Sequence, residues 1–490
     1  MSSSGQVLKN LVSHSVIYWF AIMLSKMIGF LLIPLYTRHL EPVDYGSLEL
    51  LALTVDVISL VLGLQLVYAV AKFHGTAKTP EAKRRVISTA IIIVSVLATS
   101  FYVGLSFFAD NVSLFVFGSI EFSYHFQVIF IASIFGVINQ IPLLYLRMQD
   151  RSKLFVVITL AQVLLTVSLT VWMVVFLEMS VFGVVLANAI VSGLICVALL
   201  YSTMKSVGIK YDAVVAKKMF VYSVPLIPGV VGLFILHSSD RFFLNELATL
   251  EEVGLYAIGY KFGIIISALL TGPFALVWSA KMFEVYQHPD RDDVLNKVFL
   301  GFGIILVFCA LWLSVFIEEV LQLMTTPQYY SAAAVVPVVA FAYVMHGLAS
   351  VLATPLYAEK KTKALGYIHM SAAVVCLVLN YILIQLYGIM GAAVATLLSF
   401  LYIFIVTFVV SQRFSTVRWN WLDIVKLVLI AVVFARLEQL ISFDLLLLNL
   451  LFKSALMVFF LLALVVAGVV KRDEARLLIA LIQQRRLKKT

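Results

Sequence analysis

Long apolar runs separated by short polar segments follow one another along almost the whole chain. A helix crosses the roughly 30 Å of a bilayer's hydrocarbon core with about 20 apolar residues, and its backbone groups must be satisfied internally there. The runs have this length and show no strand-like alternation, so they predict membrane-spanning helices. The predicted spans, fourteen in all, lie near 16–36, 46–70, 86–108, 126–146, 154–177, 181–203, 219–239, 253–279, 298–322, 331–356, 364–386, 388–410, 422–441 and 445–470.

Composition supports the membrane assignment. Hydrophobic residues make up 63% of the chain and charged residues 12%, whereas a soluble domain has about 25% charged residues. Lipid must therefore cover much of the surface. The first apolar run is longer than the h-region of a cleavable signal peptide and predicts an uncleaved span. The three cysteines lie inside apolar runs, where we expect small buried side chains.

Basic residues are distributed very unevenly among the loops. Of the 35 basic residues, 29 lie in alternate loops and the two terminal segments, and three lie in the opposite loops. By the positive-inside rule this predicts an even number of spans with both termini in the cytoplasm. The net charge of +9 is thus a topology signal, and no nucleic-acid partner is expected. The basic tail at 471–490 predicts an amphipathic helix on the inner leaflet, with a solvated tail as the alternative.

A weak internal repeat suggests two related halves. The first span ends near Arg38 and Gly46 opens the second, while the seventh ends near Arg241 and Gly254 opens the eighth. We predict an N-terminal bundle at 1–210, a second bundle at 211–415, and two further helices with the tail at 416–490.

Two intramembrane lysines are candidate anion contacts. Charge inside a span costs about 2.5–3.5 kcal/mol on insertion scales, so it persists where it meets water or a partner. Lys26 lies in the middle of the first span and Lys261 two turns into the eighth. A structural pair with Asp56 is the alternative for Lys26, and snorkelling to the interface is the alternative for Lys261.

Two carboxylates of the second span are candidates for ion coupling. Glu49 and Asp56 are seven residues apart, close to two helical turns, and so share a face. Either could bind and release a proton or Na⁺. A hydrated face is the alternative for Glu49, and a structural pair with Lys26 is the alternative for Asp56. Lys453, in the last span, is expected to be structural or to snorkel.

The outer ends of the first and seventh spans each carry an arginine, against the orientation rule. A guanidinium binds phosphate through two parallel hydrogen bonds, so Arg38 and Arg241 are candidate substrate contacts. The alternatives are ion pairs, of Arg38 with Glu41 or Asp44 and of Arg241 with Asp240 or Glu246.

The seventh span contains Pro225 and Pro228, followed by Gly229. Proline removes a backbone hydrogen bond and bends a helix, so this segment predicts a gate, with a static bend as the alternative. The chain has no HExxH, P-loop, CxxC or GxSxG motif. An ATP-driven engine within the chain is disfavoured, and no metal ion or cofactor is expected.

Two stretches resemble a known family. The string LEPVDYG at 40–46, after a span that begins near 16, is similar to the start of bacterial polysaccharide transporters. The string SDRFFL at 239–244, continuing to VGLYA at 253–257 and Lys261, is similar to their seventh-to-eighth helix region. The family lies in the superfamily of multidrug extruders and lipid II flippases. The resemblance implies an all-α fold of about fourteen spans, with two six-helix bundles around a central cavity.

The resemblance also implies an activity. Such proteins move an undecaprenyl-diphosphate-linked oligosaccharide from the inner to the outer leaflet of the bacterial cytoplasmic membrane, for O-antigen, capsule or related polysaccharides. It implies that Lys26, Lys261 and Arg241 serve the diphosphate. Membrane lipids, a polysaccharide polymerase and a chain-length regulator are the other expected partners. A cation-coupled multidrug extruder and a membrane polymerase or glycosyltransferase are the alternatives, although the outer loops are short for an enzyme.

Overall fold

The computed structural model describes residues 30, 32–62, 66–441, 443 and 445–470. Most of the first predicted span, Lys26 and the predicted amphipathic tail at 471–490 lie outside these residues. Every regular element among the described residues is helical. This follows from the length of the apolar runs, because a helix satisfies its own backbone hydrogen bonds in lipid.

The helices up to the seventh predicted span are α1 (Ile33–His39), α2 (Pro42–Leu62), α3 (Leu66–Thr76), α4 (Pro80–Ser106), α5 (Ala109–Phe117), α6 (Ser123–Met148), α7 (Ser152–Val171), α8 (Ser180–Val207), α9 (Ala213–Ser223) and α10 (Ile227–Leu247). A π turn extends α7, and a 3₁₀ turn separates α9 from α10. Gly208, which follows α8, has a φ of 74°, in the region that favours glycine.

The remaining helices are α11 (Leu250–Gly263), α12 (Gly272–Gln287), α13 (Arg291–Met324), α14 (Val335–Leu352), α15 (Thr354–Ala358), α16 (Thr362–Phe414), α17 (Trp421–Leu440) and α18 (Leu446–Val466). A π turn lies between α11 and α12, and a 3₁₀ segment precedes α14.

Ten helical stretches among the described residues are long and apolar enough to span a membrane. One of them is α16, whose 53 residues would extend about 80 Å as a single helix, far more than a bilayer core requires. Gly388 interrupts α16 with a φ of 53° and a ψ of −131°. This confirms the predicted division into two spans at Gly388.

Two further predicted spans are helices of sufficient length that are not among these ten stretches. They are α2, with 21 residues, and α17, with 20 residues. Together with the division of α16, they bring thirteen of the fourteen predicted spans into the described structure; the first lies mostly outside it. The protein is therefore an all-α polytopic membrane protein of about fourteen spans.

The helices group into two compact units. The first contains the described residues up to Ile258 together with Met324–Tyr329 and Asn380–Ile389. The second contains Gly259–Leu323, Tyr330–Leu379 and the described residues from Met390 onward. The predicted divisions at 210 and 415 separate related halves of the sequence rather than compact units. They are therefore not tested by this grouping and stay a prediction.

In the first unit, α6 packs against α4 and α8, and α10 packs against α2. The segment at 324–329 is fastened to the end of α1: Tyr329 donates a hydrogen bond to the Leu40 carbonyl at 2.9 Å, and Thr326 donates one to the Thr37 carbonyl at 3.0 Å. In the second unit, α17 and α18 pack against each other. Buried apolar side chains of α13, including Leu306, contribute to its core.

Two glycines allow α2 and α11 to approach closely within the first unit. A Cβ atom on Gly46 would collide with the Leu250 carbonyl oxygen, and one on Gly254 would collide with that of Pro42. These are the glycines that occupy corresponding places in the proposed halves. Small residues at a helix crossing let backbones approach, and such packing holds helices together where lipid supplies no hydrophobic drive.

We expect Gly254→Ala to destabilise the protein. The added Cβ would collide with the backbone of α2, and moving α2 and α11 apart would disrupt their packing. Overpacking of this kind costs about 1–3 kcal/mol. The measurement is the thermal unfolding midpoint of purified protein in detergent. Gly301→Ala in α13 is the matched control, since a Cβ there meets no atom within 4 Å. An equal midpoint for Gly254→Ala and the wild type would contradict the close crossing.

Candidate functional site

The end of α10 carries three consecutive buried polar residues, Ser239, Asp240 and Arg241. A short turn follows α10, and α11 then places Tyr256 beside them. Tyr256 is fully buried and donates a hydrogen bond to Asp240 Oδ2 at 2.5 Å. The first span of the second predicted half thus ends in a buried polar cluster, which belongs to the first unit.

Arg241 is paired within this cluster. Its Nη1 lies 2.7 Å from Asp240 Oδ1 and donates to the His237 carbonyl at 2.6 Å. The guanidinium carbon lies 5.1 Å from the centre of the Tyr256 ring, a cation–π distance. A buried ion pair needs such additional contacts to offset its desolvation. The ion pair with Asp240, which the sequence offered as the alternative role of Arg241, is therefore present. Phosphate binding by Arg241 stays a prediction.

Asn380 belongs to the same buried cluster but was not selected from the sequence. It is fully buried, lies in the part of α16 that belongs to the first unit, and donates to Ser239 Oγ at 3.3 Å. An amide in the middle of an apolar run is the signal that could have found it, because burying an amide costs free energy unless it is hydrogen-bonded.

Arg38 lies at the end of α1 with an exposed side chain. Its charge complements the negative end of the helix dipole. Asp44 instead accepts a hydrogen bond from the Glu41 backbone N–H at 3.2 Å. Among the described residues no carboxylate lies within ion-pair distance of Arg38, so the alternative pairing with Glu41 or Asp44 is absent there.

Both candidate carboxylates of α2 lie within the described residues. Glu49 is half-buried and Asp56 is exposed. Because Lys26 lies outside the described residues, its pairing with Asp56 is untested. Coupling by either carboxylate likewise stays a prediction.

Lys261 is half-buried near the end of α11, in the second unit. Gly259 packs against the segment that leads into α14, where an added Cβ would lie 2.8 Å from the Ala332 carbonyl oxygen, and Gly263 packs against Val339 of α14 itself. Lys261 is two residues from each glycine, about 200° around the helix, and therefore on the opposite side of α11 from this contact.

The segment containing Pro225, Pro228 and Gly229 interrupts the seventh span. It begins with the 3₁₀ turn Val224–Leu226, and all three predicted gate residues are exposed. The sequence thus predicted the interruption correctly, because proline cannot donate a helical hydrogen bond. Gating by this segment stays a prediction.

Helix α9 and the segment just before it are fixed to neighbouring helices of the first unit. The Lys210 backbone N–H donates to Ser88 Oγ at 2.7 Å, and Lys72 Nζ lies 4.0 Å from the Tyr222 ring centre. Asp212 caps α9, and hydrogen bonds from the backbone N–H groups of Val215 and Val214 keep its pKa below the ordinary value. Its carboxylate therefore stays charged beside Arg85, at 3.5 Å.

Similar folds occur among solved transporters. A lipid II flippase, MurJ, in an inward closed conformation has a TM-score of 0.71 and 13% identity, over 92% of this chain and 98% of that chain. An inward-facing multidrug resistance transporter of the MATE family has a TM-score of 0.64 and 14% identity, over 80% and 95%. The Vibrio cholerae MATE transporter VcmN has a TM-score of 0.56 and 14% identity, over 84% and 98%. At these identities the similarity concerns the fold.

A search of curated protein sequences finds no match. The sequence model of the family described as "Polysaccharide biosynthesis protein" matches residues 9–279. The matched region is more than half of the 490 residues. The chain therefore belongs to this polysaccharide biosynthesis family.

Proposed function

We propose that the protein is a flippase that moves an undecaprenyl-diphosphate-linked oligosaccharide from the inner to the outer leaflet of the bacterial cytoplasmic membrane. Membership in the polysaccharide biosynthesis family carries this proposal. The MurJ-like fold supports it, because that protein is described as a lipid II flippase. The glycan would serve O-antigen, capsule or a related surface polysaccharide.

The charge of the cargo explains why a protein is needed. A diphosphate–sugar headgroup cannot leave water for hydrocarbon unless its charge is compensated, whereas the prenyl chain can remain in lipid. Lys26 and Lys261 are the proposed diphosphate contacts, with Arg241 and Arg38 as further candidates. Gly259 of α11 packs closely against Ala332, and Lys261 lies on the opposite side of α11 from that contact. This position supports a role for Lys261 in binding the diphosphate.

Transport by alternating access is proposed to couple to an ion gradient through Asp56 or Glu49, with the segment from Pro225 to Gly229 as a gate. Each charge moved contributes about 2.3 kcal/mol per 100 mV of membrane potential. The basic loops support cytoplasmic termini. A polysaccharide polymerase and a chain-length regulator are the proposed protein partners.

A cation-coupled multidrug extruder is the second candidate, supported by the similarity of fold to MATE transporters. The two candidates differ in the charge of the cargo. A cationic drug would be repelled by lysines at the substrate site, whereas a diphosphate would be bound. Removal of these lysines therefore has opposite expected effects on the two kinds of transport.

We expect Lys26→Ala and Lys261→Ala each to reduce surface polysaccharide display in cells that depend on this protein. A charge-assisted hydrogen bond contributes about 1.5–3 kcal/mol, which corresponds to roughly a tenfold to hundredfold loss of affinity. Display is measured by labelling the glycan on intact cells, and membrane insertion by immunoblotting of membrane fractions.

The matched control is Lys281→Ala, whose exposed side chain contacts Glu284 at 2.9 Å on the surface of α12. It should display polysaccharide normally. Normal display in both Lys26→Ala and Lys261→Ala would remove the proposed diphosphate site. Increased resistance to cationic drugs on expression of the wild type would instead favour the extruder.

We expect Asp56→Asn to remove the response of transport to an imposed proton or Na⁺ gradient, because an amide neither titrates nor balances a cation. The measurement is flipping of a fluorescent prenyl-diphosphate glycan in proteoliposomes with and without the gradient. Asp293→Asn is the control, since Asp293 is an exposed carboxylate paired with Lys297 at 2.7 Å. A gradient response retained in Asp56→Asn would exclude Asp56 as the coupling residue.

A further inference from the structure

A cavity of about 340 Å³ lies in the first unit, where α3, α4 and α9 meet. Its walls come from the end of α3, the turn after it, the beginning of α4 and the beginning of α9. The volume is at the lower end of the range for small-ligand pockets, about 300–1,000 Å³. On the predicted topology these helix ends face the cytoplasm, so the cavity lies at the level of the lipid headgroups.

The lining combines apolar and charged side chains. Phe73, Val86 and Val215 provide apolar surface, whereas Arg85 and Lys218 provide two cations. A phospholipid has the same two characters at its headgroup, because the phosphate is charged and the glycerol continues into acyl chains. The lining therefore fits the boundary between a phosphate and hydrocarbon chains.

Two carboxylates also line the cavity, and neither takes up the cations fully. Asp212 accepts hydrogen bonds from the backbone N–H groups of Val214 and Val215 at 2.9 and 3.1 Å, so it keeps partners without Arg85, which lies 3.5 Å away. Glu81 is exposed in the first turn of α4, where its charge is hydrated and complements the positive end of the helix dipole. Arg85 can thus turn to a ligand without leaving a carboxylate unsatisfied.

Lys218 and the surrounding segments make the region strongly positive. Lys218 is exposed, and among the described residues no carboxylate lies at ion-pair distance from it. The segments 72–85 and 210–218, which surround the cavity, carry eight basic residues and two acidic ones. Such a field favours an anion over a zwitterion, and basic clusters on the cytoplasmic side attract anionic lipids.

We propose that this cavity binds the phosphate of an anionic phospholipid headgroup, with Lys218 and Arg85 as its two cationic contacts. A guanidinium offers a phosphate two parallel hydrogen bonds, and an ammonium adds a compact charge. The apolar lining receives the glycerol and the first acyl carbons. Because α4 and α9 both border the cavity, a bound lipid connects them. The site is separate from the residues proposed for the cargo and does not depend on which cargo the protein moves.

The test is a titration of the purified full-length protein in detergent with phosphatidylglycerol, in which native mass spectrometry counts the bound lipids. The wild type should bind one phosphatidylglycerol more tightly than further copies and more tightly than phosphatidylcholine. Lys218→Ala and Arg85→Ala should each weaken this binding about tenfold or more, because each removes a charge-assisted hydrogen bond to the phosphate. The matched controls are the sequence neighbours Lys217→Ala and Arg84→Ala. Both side chains are exposed and lie outside the cavity lining, so these variants should bind as the wild type does.

Three results would overturn the proposal. Equal weakening in all four variants would mean a general attraction to basic loops. Unchanged binding in Lys218→Ala and Arg85→Ala would place the lipid elsewhere. Displacement of phosphatidylglycerol by inorganic phosphate or glycerol phosphate, at concentrations similar to that of the lipid, would assign the site to a soluble phosphate compound. Size-exclusion profiles identical to that of the wild type establish that the variants are folded. Lys218→Ala keeps the test decisive if Arg85→Ala is destabilised by the loss of its contact with Asp212.

Discussion

Hydrocarbon cannot solvate a charge or an unpaired backbone group, and most features of this protein follow from that constraint. It sets the length of the apolar runs, requires helices, and leaves most basic residues in alternate short loops. It also acts on the side chains that remain inside. Arg241 is held against Asp240, and Lys453 is held between Glu319 and Glu438. These two charged side chains are thus tied to partners on the same or neighbouring helices.

The same constraint changes what holds the helices together. Since lipid chains are as apolar as leucine, close packing and hydrogen bonds must replace the hydrophobic effect between spans. Glycine provides the closest approach, at the crossing of α2 with α11 and again where Gly259 meets the segment before α14. Hydrogen bonds provide the rest, as where Trp278 Nε1 donates to Thr354 Oγ1 at 3.0 Å.

The spans were predictable from sequence because each depends on a local property, the length of an apolar run. The division at Gly388 was predictable for the same reason. Partners of buried charges were harder to find. Asn449 and Glu319 are 130 residues apart, and no periodicity connects them. For Arg38, in contrast, residues close in sequence suggested a partner that the structure does not have. An ion pair with Glu41 or Asp44 was one interpretation, but Asp44 accepts a hydrogen bond from the Glu41 backbone N–H instead. Sequence distance identifies possible neighbours, and only the packing selects among them.

These pairings bear on how an anion could be received. The contacts of Arg241 with Asp240 and with the His237 carbonyl both use Nη1, and a phosphate that displaced Asp240 from this atom would leave a buried carboxylate, which is costly unless other donors satisfy it. At Arg241 the exchange is eased by Tyr256, whose hydroxyl already donates to the other oxygen of Asp240. The ring of Tyr256 also lies against the guanidinium and would remain there. If Arg241 contacts the cargo as proposed, that contact would be reversible, because Asp240 would take its place when the cargo leaves. In a transporter a competing partner of this kind aids release, because it satisfies the cation once the bound anion has left.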